Sequence, residues 1–317
     1  KTKSTSSPRT HLIDHMRKKF NLYQFFKYSV VRRVKTYLAR IKLLFTRSPA
    51  LNSTHRNPKI IVSLTSFGAR INNIDLTIKT LFNQSLCADK IVLNLSKHEF
   101  NQSNLPNALI QLQKFGLEIN YVDDTRSYKK LIPTLINYPN DIIITVDDDI
   151  LYPHYLIQSL MQAYTTKPHL VHGCRGYQIE LSEYKTVKHY KDWTKCRTSQ
   201  AGNNVMLTGI GAILYGPGCF HKDVLRQDLF TKLAPSADDL WFKAMCLLNG
   251  TGSQVIIEKK QFNTDFLPTS NSIIDPLCSM NVDEGQNDHA MANIIRAYPE
   301  LINHFDQSPS VPCNESC

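Results

Sequence analysis

Paired cysteines are missing from this chain. Its eight Cys, at positions 87, 174, 196, 219, 246, 278, 313 and 317, form no Cys-x-x-Cys and no zinc-like spacing, which argues against a zinc module and for a reducing, cytoplasmic compartment. Long apolar runs are missing as well. The longest uncharged stretch, residues 198–220, is broken by five Gly, one Pro and two Asn, so no segment spans a bilayer. Gly and Pro are not in excess and no tract is of low complexity, which excludes a fibrous or extended chain. Acids are nearly absent from residues 1–60, which hold 15 Lys and Arg against Asp14 alone. The remainder carries 22 basic and 26 acidic residues, so the net charge of +10 belongs to an N-terminal arm and the main body offers no nucleic-acid groove. Six Asn-x-Ser/Thr triplets, such as Asn94-Leu-Ser and Asn249-Gly-Thr, stand without a signal segment and carry little weight.

What is present is 42% hydrophobic and 20% charged over 317 residues, enough for a sizeable core and one large α/β unit. The arm is set at residues 1–57, opening with the polar "KTKSTSSPRT". From Phe20 to Phe45, the apolar residues Leu22, Phe26, Val30, Val34, Tyr37, Leu38, Ile41 and Phe45 recur at helical spacing. Lys27, Arg32, Arg33, Lys35, Arg40 and Lys42 fall largely between them. This is a basic amphipathic helix. It suits either the surface of an anionic membrane, making the protein peripheral on the inner face, or packing on the main domain with a solvated basic rim.

The main domain is set at residues 58–300, with a tail at 301–317. "KIIVSLTSF" reads as a buried first strand, followed by the polar turn "GARINN", the helix "IDLTIKTLFNQSL" and the strand "KIVLNLS". A helix around "LPNALIQLQKFG", the strand "LEINYVDD", a short helix interrupted or opened by Pro133 and the strand "DIIITVDDD" follow. Strands alternating with helices predict a mainly parallel sheet covered on both faces, with ligands at the carboxyl ends of the strands.

Asp147, Asp148 and Asp149 sit at such an end. On a continuing strand, Asp147 and Asp149 would face one point while Asp148 turned away. Two like charges held close require a proton or a cation, and oxygen-only ligands suit Mg2+ or Mn2+ shared with substrate phosphates. An acidic turn capping the next helix is the plain structural alternative.

"VDDDILYP" resembles the Asp-x-Asp motif of GT-A-fold glycosyltransferases. "TSFGARI", "DDTRSYKKLIPTL", "TGIGAILYGPG" and "APSADDLWFKAM" are similar, in order, to bacterial enzymes related to glycosyltransferase family 2 that build surface polysaccharides. The resemblance covers about Lys59 to Pro299 and implies a GT-A, Rossmann-like α/β fold behind the N-terminal amphipathic helix. It also implies a nucleotide-sugar donor such as a UDP-sugar, a saccharide acceptor and inversion at the transferred sugar. Asp147, Asp148 and Asp149 would meet the donor and its Mn2+ or Mg2+, with Thr65, Ser66 and Arg70 against the nucleotide. Asp123 or Asp124 would bind base or ribose, with Lys129 or Lys130 near the phosphates; a turn and an exposed helix face are the alternatives. The paired acid Asp238–Asp239 would supply the catalytic base, Asp239 first. This family often has Glu-Asp there, so which Asp acts stays open. Ser236 and Asp239 also have the spacing of a helix capping box, a full structural explanation by itself. Gly209 and Gly211 would let backbone approach the sugar and Trp241 would stack on an acceptor ring, unless they are a tight turn and a core residue. His289 would complete the metal site, unless it is a surface-helix histidine.

Two other functions fit in part. A metal-dependent nucleotidyltransferase uses similar carboxylates but needs a Gly- and base-rich first loop, and "SLTSFGARINN" has one Gly and one Arg. A non-catalytic, membrane-associated scaffold with a GT-A fold would not need the retained acids.

Overall fold

The structure, a computed structural model, describes residues 31, 33–41, 43, 50–269 and 285–305. The chain divides into two compact units, residues 1–45 and 46–317. In the first, the described residues between 31 and 43 are helical, as the spacing predicts. Val31, Val34, Tyr37 and Leu38 are exposed, together with Arg33 and Lys35. Leu22, Phe26, Val30 and Phe45 of the expected apolar stripe lie outside the described residues.

The second unit is built on an eight-stranded sheet in the order β3-β2-β1-β4-β11-β6-β12-β9. Its strands are β1 (Ile60–Thr65), β2 (Lys90–Ser96), β3 (Leu117–Val122), β4 (Ile142–Thr145), β6 (Leu170–Gly173), β9 (Ala201–Gly202), β11 (Ile213–Tyr215) and β12 (Gly252–Val255). The pairs β1–β2, β2–β3, β1–β4 and β6–β12 are parallel, whereas β11 runs antiparallel to both β4 and β6. This is the mixed, mainly parallel α/β sheet expected from the alternation of elements. Two shorter pairings stand apart: β10 (Val205–Leu207) with β7 (Gly176–Gln178) and β8 (Thr194–Lys195), and β5 (Ile150–Leu151) with β13 (Leu267–Pro268).

Period-two alternation sorts the apolar residues to the two faces. Ile60, Val62 and Leu64 of β1, Ile91 and Leu93 of β2 and Ile142 and Ile144 of β4 pack in one core with helices α1 (Ile74–Phe82), α2 (Asn107–Gln113) and α4 (Leu156–Thr166). Ile143, Ile213 and Tyr215 look the other way, into a second core with α5 (Gln227–Leu233), α6 (Asp238–Leu248), α8 (Gln286–Ala297) and α9 (Leu301–Phe305). Leu301 and Phe305, at the start of the expected tail, are buried in that second core. The region "SYKKLIPTLINYP" divides into a 3-10 turn, Arg126–Lys130, and helix α3 (Ile132–Asn137), with Pro133 in the first turn of α3 where its missing N–H costs nothing.

On the second face of β1 and β2, Ser63 and Asn94 set polar side chains beside the apolar Ile61 and Val92. Ser63 Oγ donates to the Lys130 carbonyl at 2.7 Å and shares a 2.6 Å hydrogen bond with Thr134, and Asn94 Nδ2 donates to Thr134 Oγ1 at 2.9 Å. These three side chains are fully buried, so each bond replaces water and fixes the turn carrying Lys130 against the strands. Asn94 is therefore closed to glycosylation in the folded protein.

Candidate functional site

Strand β4 ends at Thr145, before the acidic triplet, and residues 148 and 149 lie in a turn. Strand alternation therefore does not extend through the triplet, and Asp148, expected to turn away from a point faced by Asp147 and Asp149, instead shares Arg70 with Asp149 while Asp147 pairs with Lys130. Asp148 is the buried member, at 7% exposure. Ser66 Oγ donates to its carboxylate at 2.6 Å, and Arg70 grips both oxygens from Nη2 at 2.5 Å and Nε at 3.2 Å. Burial pushes the Asp148 carboxyl above its usual range, against the pull of Arg70 and Ser66. Arg70 Nη2 also lies 2.7 Å from Asp149, whose side chain is 34% exposed. The Thr77 hydroxyl donates to the Asp148 carbonyl at 2.9 Å, and the Asp147 N–H donates to the Tyr152 hydroxyl at 2.7 Å. Neither Thr77 nor Tyr152 was singled out in the sequence, although Tyr152 belongs to the "DDDILYP" run.

Across the site, Lys130 Nζ donates to Asp147 Oδ1 at 2.8 Å. Burial opposes the charge of Lys130, but Asp147, Asp238 and Asp239 outweigh it and hold the ammonium form. Asp239 is the second residue of α6, and its Oδ2 accepts the Gly209 N–H at 2.7 Å. It makes no capping box: the N-cap is Ala237, without a side-chain cap, because Ser236 Oγ is taken by Gln286 at 2.7 Å. Burial, reinforced by Asp238, raises the Asp239 carboxyl to about 7, with Lys130 and the Gly209 N–H pulling the other way. Gly209 is needed here for the protein's own packing. A Cβ at that position would sit 2.8 Å from Lys130 Nζ and 3.1 Å from Asp239 Oδ1.

The topology explains the convergence. Because β11 is reversed, its start lies beside the end of β4, with Ile213 opposite Thr145, so the Gly209–Gly211 turn meets the acidic triplet. Gly211 adopts φ +111, where a Cβ would strike Phe262 at 2.6 Å, so its small size serves a tight turn against α7 (Lys259–Asp265).

Other candidates are held elsewhere. Lys129 is buried and ion-paired with Asp124, which also accepts the Arg126 N–H at 3.0 Å. Asp123 pairs with Lys97 at 2.7 Å on the surface. Thr65 donates its hydroxyl to the Asn94 carbonyl at 2.8 Å. Trp241 has no exposed surface and gives its Nε1–H to the Val224 carbonyl at 3.2 Å, so its face is core and closed to a ligand ring. His289 is exposed on α8.

Among the described residues no three His, Cys, Asp or Glu side chains converge as a ready-made metal cage. The donor chemistry nevertheless fits a cation held jointly with a ligand. Asp147, Asp148, Asp149, Asp238 and Asp239 gather around Arg70 and Lys130, which leaves uncompensated negative charge, and the half-exposed Asp149 offers hard oxygen. Mg2+ and Mn2+ sites of one or two carboxylates completed by phosphate and water have this character.

No protein-family profile matches the sequence, and no curated protein matches it. Among solved structures, the chain is similar to a mannosyltransferase from Pyrobaculum calidifontis in complex with GDP-Man and Mn2+. The identity is 13% and the TM-score 0.45, over 90% of this chain and 83% of that one. It is similar also to a CMP:2-keto-3-deoxy-manno-octonic acid synthetase complexed with CTP, at 10% identity and TM-score 0.38 over 63% and 89% of the two chains. A third similar structure is 4-diphosphocytidyl-2C-methyl-D-erythritol synthase, at 10% identity and TM-score 0.40 over 72% and 98%.

Proposed function

We propose that the protein is a metal-dependent glycosyltransferase that moves a sugar from a nucleotide diphosphate, such as UDP, to a saccharide hydroxyl in surface polysaccharide synthesis. The observation that carries this reading is the Asp147–Lys130–Asp239 arrangement at the carboxyl edge of the sheet, where one ammonium pairs with the acidic triplet at Asp147 and is flanked by the half-buried Asp239. A divalent ion bound at Asp149 and Asp147 would supply charge stabilisation for the departing diphosphate. Arg70 orients the triplet, binding Asp148 in a bidentate way and reaching Asp149. Asp239, oriented by the Gly209 N–H and raised to about 7, is suited to take a proton from the acceptor hydroxyl near neutral pH. Inversion at the transferred sugar is what the resemblance to the family implies. The basic arm, with Val34, Tyr37 and Leu38 uncovered, is read as a docking element for an anionic membrane surface.

Calorimetric titration with nucleoside di- and triphosphates, with and without Mn2+, tests the reading. One nucleoside diphosphate is expected to bind in a metal-dependent way. Asp149→Asn should abolish that binding, whereas Asp239→Asn should keep it and lower transfer by at least about a hundredfold. Preference for a triphosphate would instead favour a nucleotidyltransferase, and equal loss of binding in both variants would remove the division of roles.

A further inference from the structure

The excursion between β6 and β11 carries a second polar surface that the transfer chemistry does not use. Arg175 lies directly before β7, two residues from Tyr177, so both side chains share a face; Tyr177 stands opposite Lys195 of β8 in register. The Arg175 guanidinium lies over the Tyr177 ring at 5.5 Å and donates to its hydroxyl at 2.8 Å, and Lys195 Nζ lies 6.0 Å from the same ring. Tyr190 lies beside Tyr177, with ring centroids 5.8 Å apart, and is backed by the buried Trp193 at 4.7 Å. Among the described residues neither Arg175 nor Lys195 has a carboxylate partner. The nearby acid Glu180 accepts instead from Thr194 Oγ1, at 3.0 Å.

This surface is joined to the base by backbone. The Thr208 N–H donates to the Arg175 carbonyl at 3.1 Å, and the next residue, Gly209, donates to Asp239. Thr208 itself is 6% exposed, and its hydroxyl has no partner among the described residues. Two uncompensated cations over one ring repel each other, and an anion placed between them relieves that repulsion while the ring packs against a sugar face.

We propose that Arg175, Tyr177 and Lys195 form the acceptor subsite and that the acceptor is an anionic saccharide, bearing carboxylate or phosphate. The word acceptor rests on the transferase reading; the binding preference does not. The test is calorimetry on the full chain with a hyaluronan tetrasaccharide, a phosphorylated mannotetraose and neutral mannotetraose, alongside the nucleoside diphosphate titration. A charged tetrasaccharide should bind at least about tenfold tighter than the neutral one, and Arg175→Gln should remove that preference. The exposed Lys195→Gln, which disturbs no core contact, should weaken binding of the charged ligand in the same direction. Carboxylate and phosphate are distinguished by which charged probe binds tighter. Equal affinity for charged and neutral probes, or charged-ligand affinity unchanged in both variants, overturns the inference. If nucleotide binds and the charge preference is absent, this inference alone falls. If the preference is present and no nucleotide binds, the transferase reading falls and the surface remains a glycan site.

Discussion

Lys243 is carried into the second core by a helix that is buried on nearly every side, from Leu240 to Leu247. Its Nζ donates to Ser253 Oγ at 3.0 Å, and burial lowers it to about 7, with Cys246 and Cys196 acting in the opposite sense. The sign of the linkage follows. Below about pH 7 both folded and unfolded chains carry the proton, and the folded chain bears the full cost of the buried charge. Between that pH and the ordinary lysine value of 10.5 the unfolded chain alone keeps the proton; its advantage shrinks as pH rises. Lys243→Met is therefore expected to stabilise the fold at pH 6 by on the order of 2–4 kcal/mol, after the loss of the Ser253 bond, with the gain fading towards pH 10. Urea unfolding of both proteins at the two pH values measures this. A gain that grew with pH would contradict it.

At the scale of elements, the turn carrying Lys130 depends on the buried Ser63–Thr134–Asn94 bonds. Thr134→Val removes the acceptor of the Asn94 amide, leaving only the longer 3.3 Å contact to Ser63. Asn120 Nδ2 donates to Asn94 Oδ1 at 3.3 Å, at the outer end of the same network. The expected cost of Thr134→Val is about 1–3 kcal/mol in urea unfolding, with nucleotide affinity falling further than Asn120→Ala would lower it. Much of this architecture was legible from local pattern. The apolar runs predict β1, β2 and β4, and β2 occupies the predicted Lys90–Ser96 span. What was not legible depends on partners far along the chain. The Lys130–Asp147 bond spans 17 residues, Gly209–Asp239 spans 30 and Ser236–Gln286 spans 50. Periodicity could place Asp239 at a helix start, but could not show that Gln286 would claim Ser236 or that Gly209 would claim Asp239. Nor could it show that β4 stops at Thr145, which is what turns Asp148 inward.

Over the whole molecule, charge is divided between a basic arm and a slightly acidic body, and no helix among the described residues is long and apolar enough to cross a membrane. Sedimentation with vesicles tests the proposed docking. The full chain should pellet with phosphatidylserine-containing vesicles and stay in solution with phosphatidylcholine alone, and raised salt should release it. Replacing Tyr37 and Leu38 by Ser should weaken pelleting several-fold, since each removes exposed apolar surface available for burial. Unchanged pelleting in that variant would assign the attraction to charge alone.

The reversed strand β11 has a consequence for how such a protein can diversify. Between β6 and its neighbour β11 the chain touches the sheet only at the two-residue edge strand β9, on β12, and the Cys174 N–H closes the stem on the Ala212 carbonyl at 3.1 Å. The part of it around β7 and β8, away from β9 and Gly209, is a cassette on a fixed socket. Doubling the length of that excursion would add only about 0.6 kcal/mol of closure entropy, so descendants of this chain can rewrite the surface around Tyr177 while the acids on β4 and α6 keep their places.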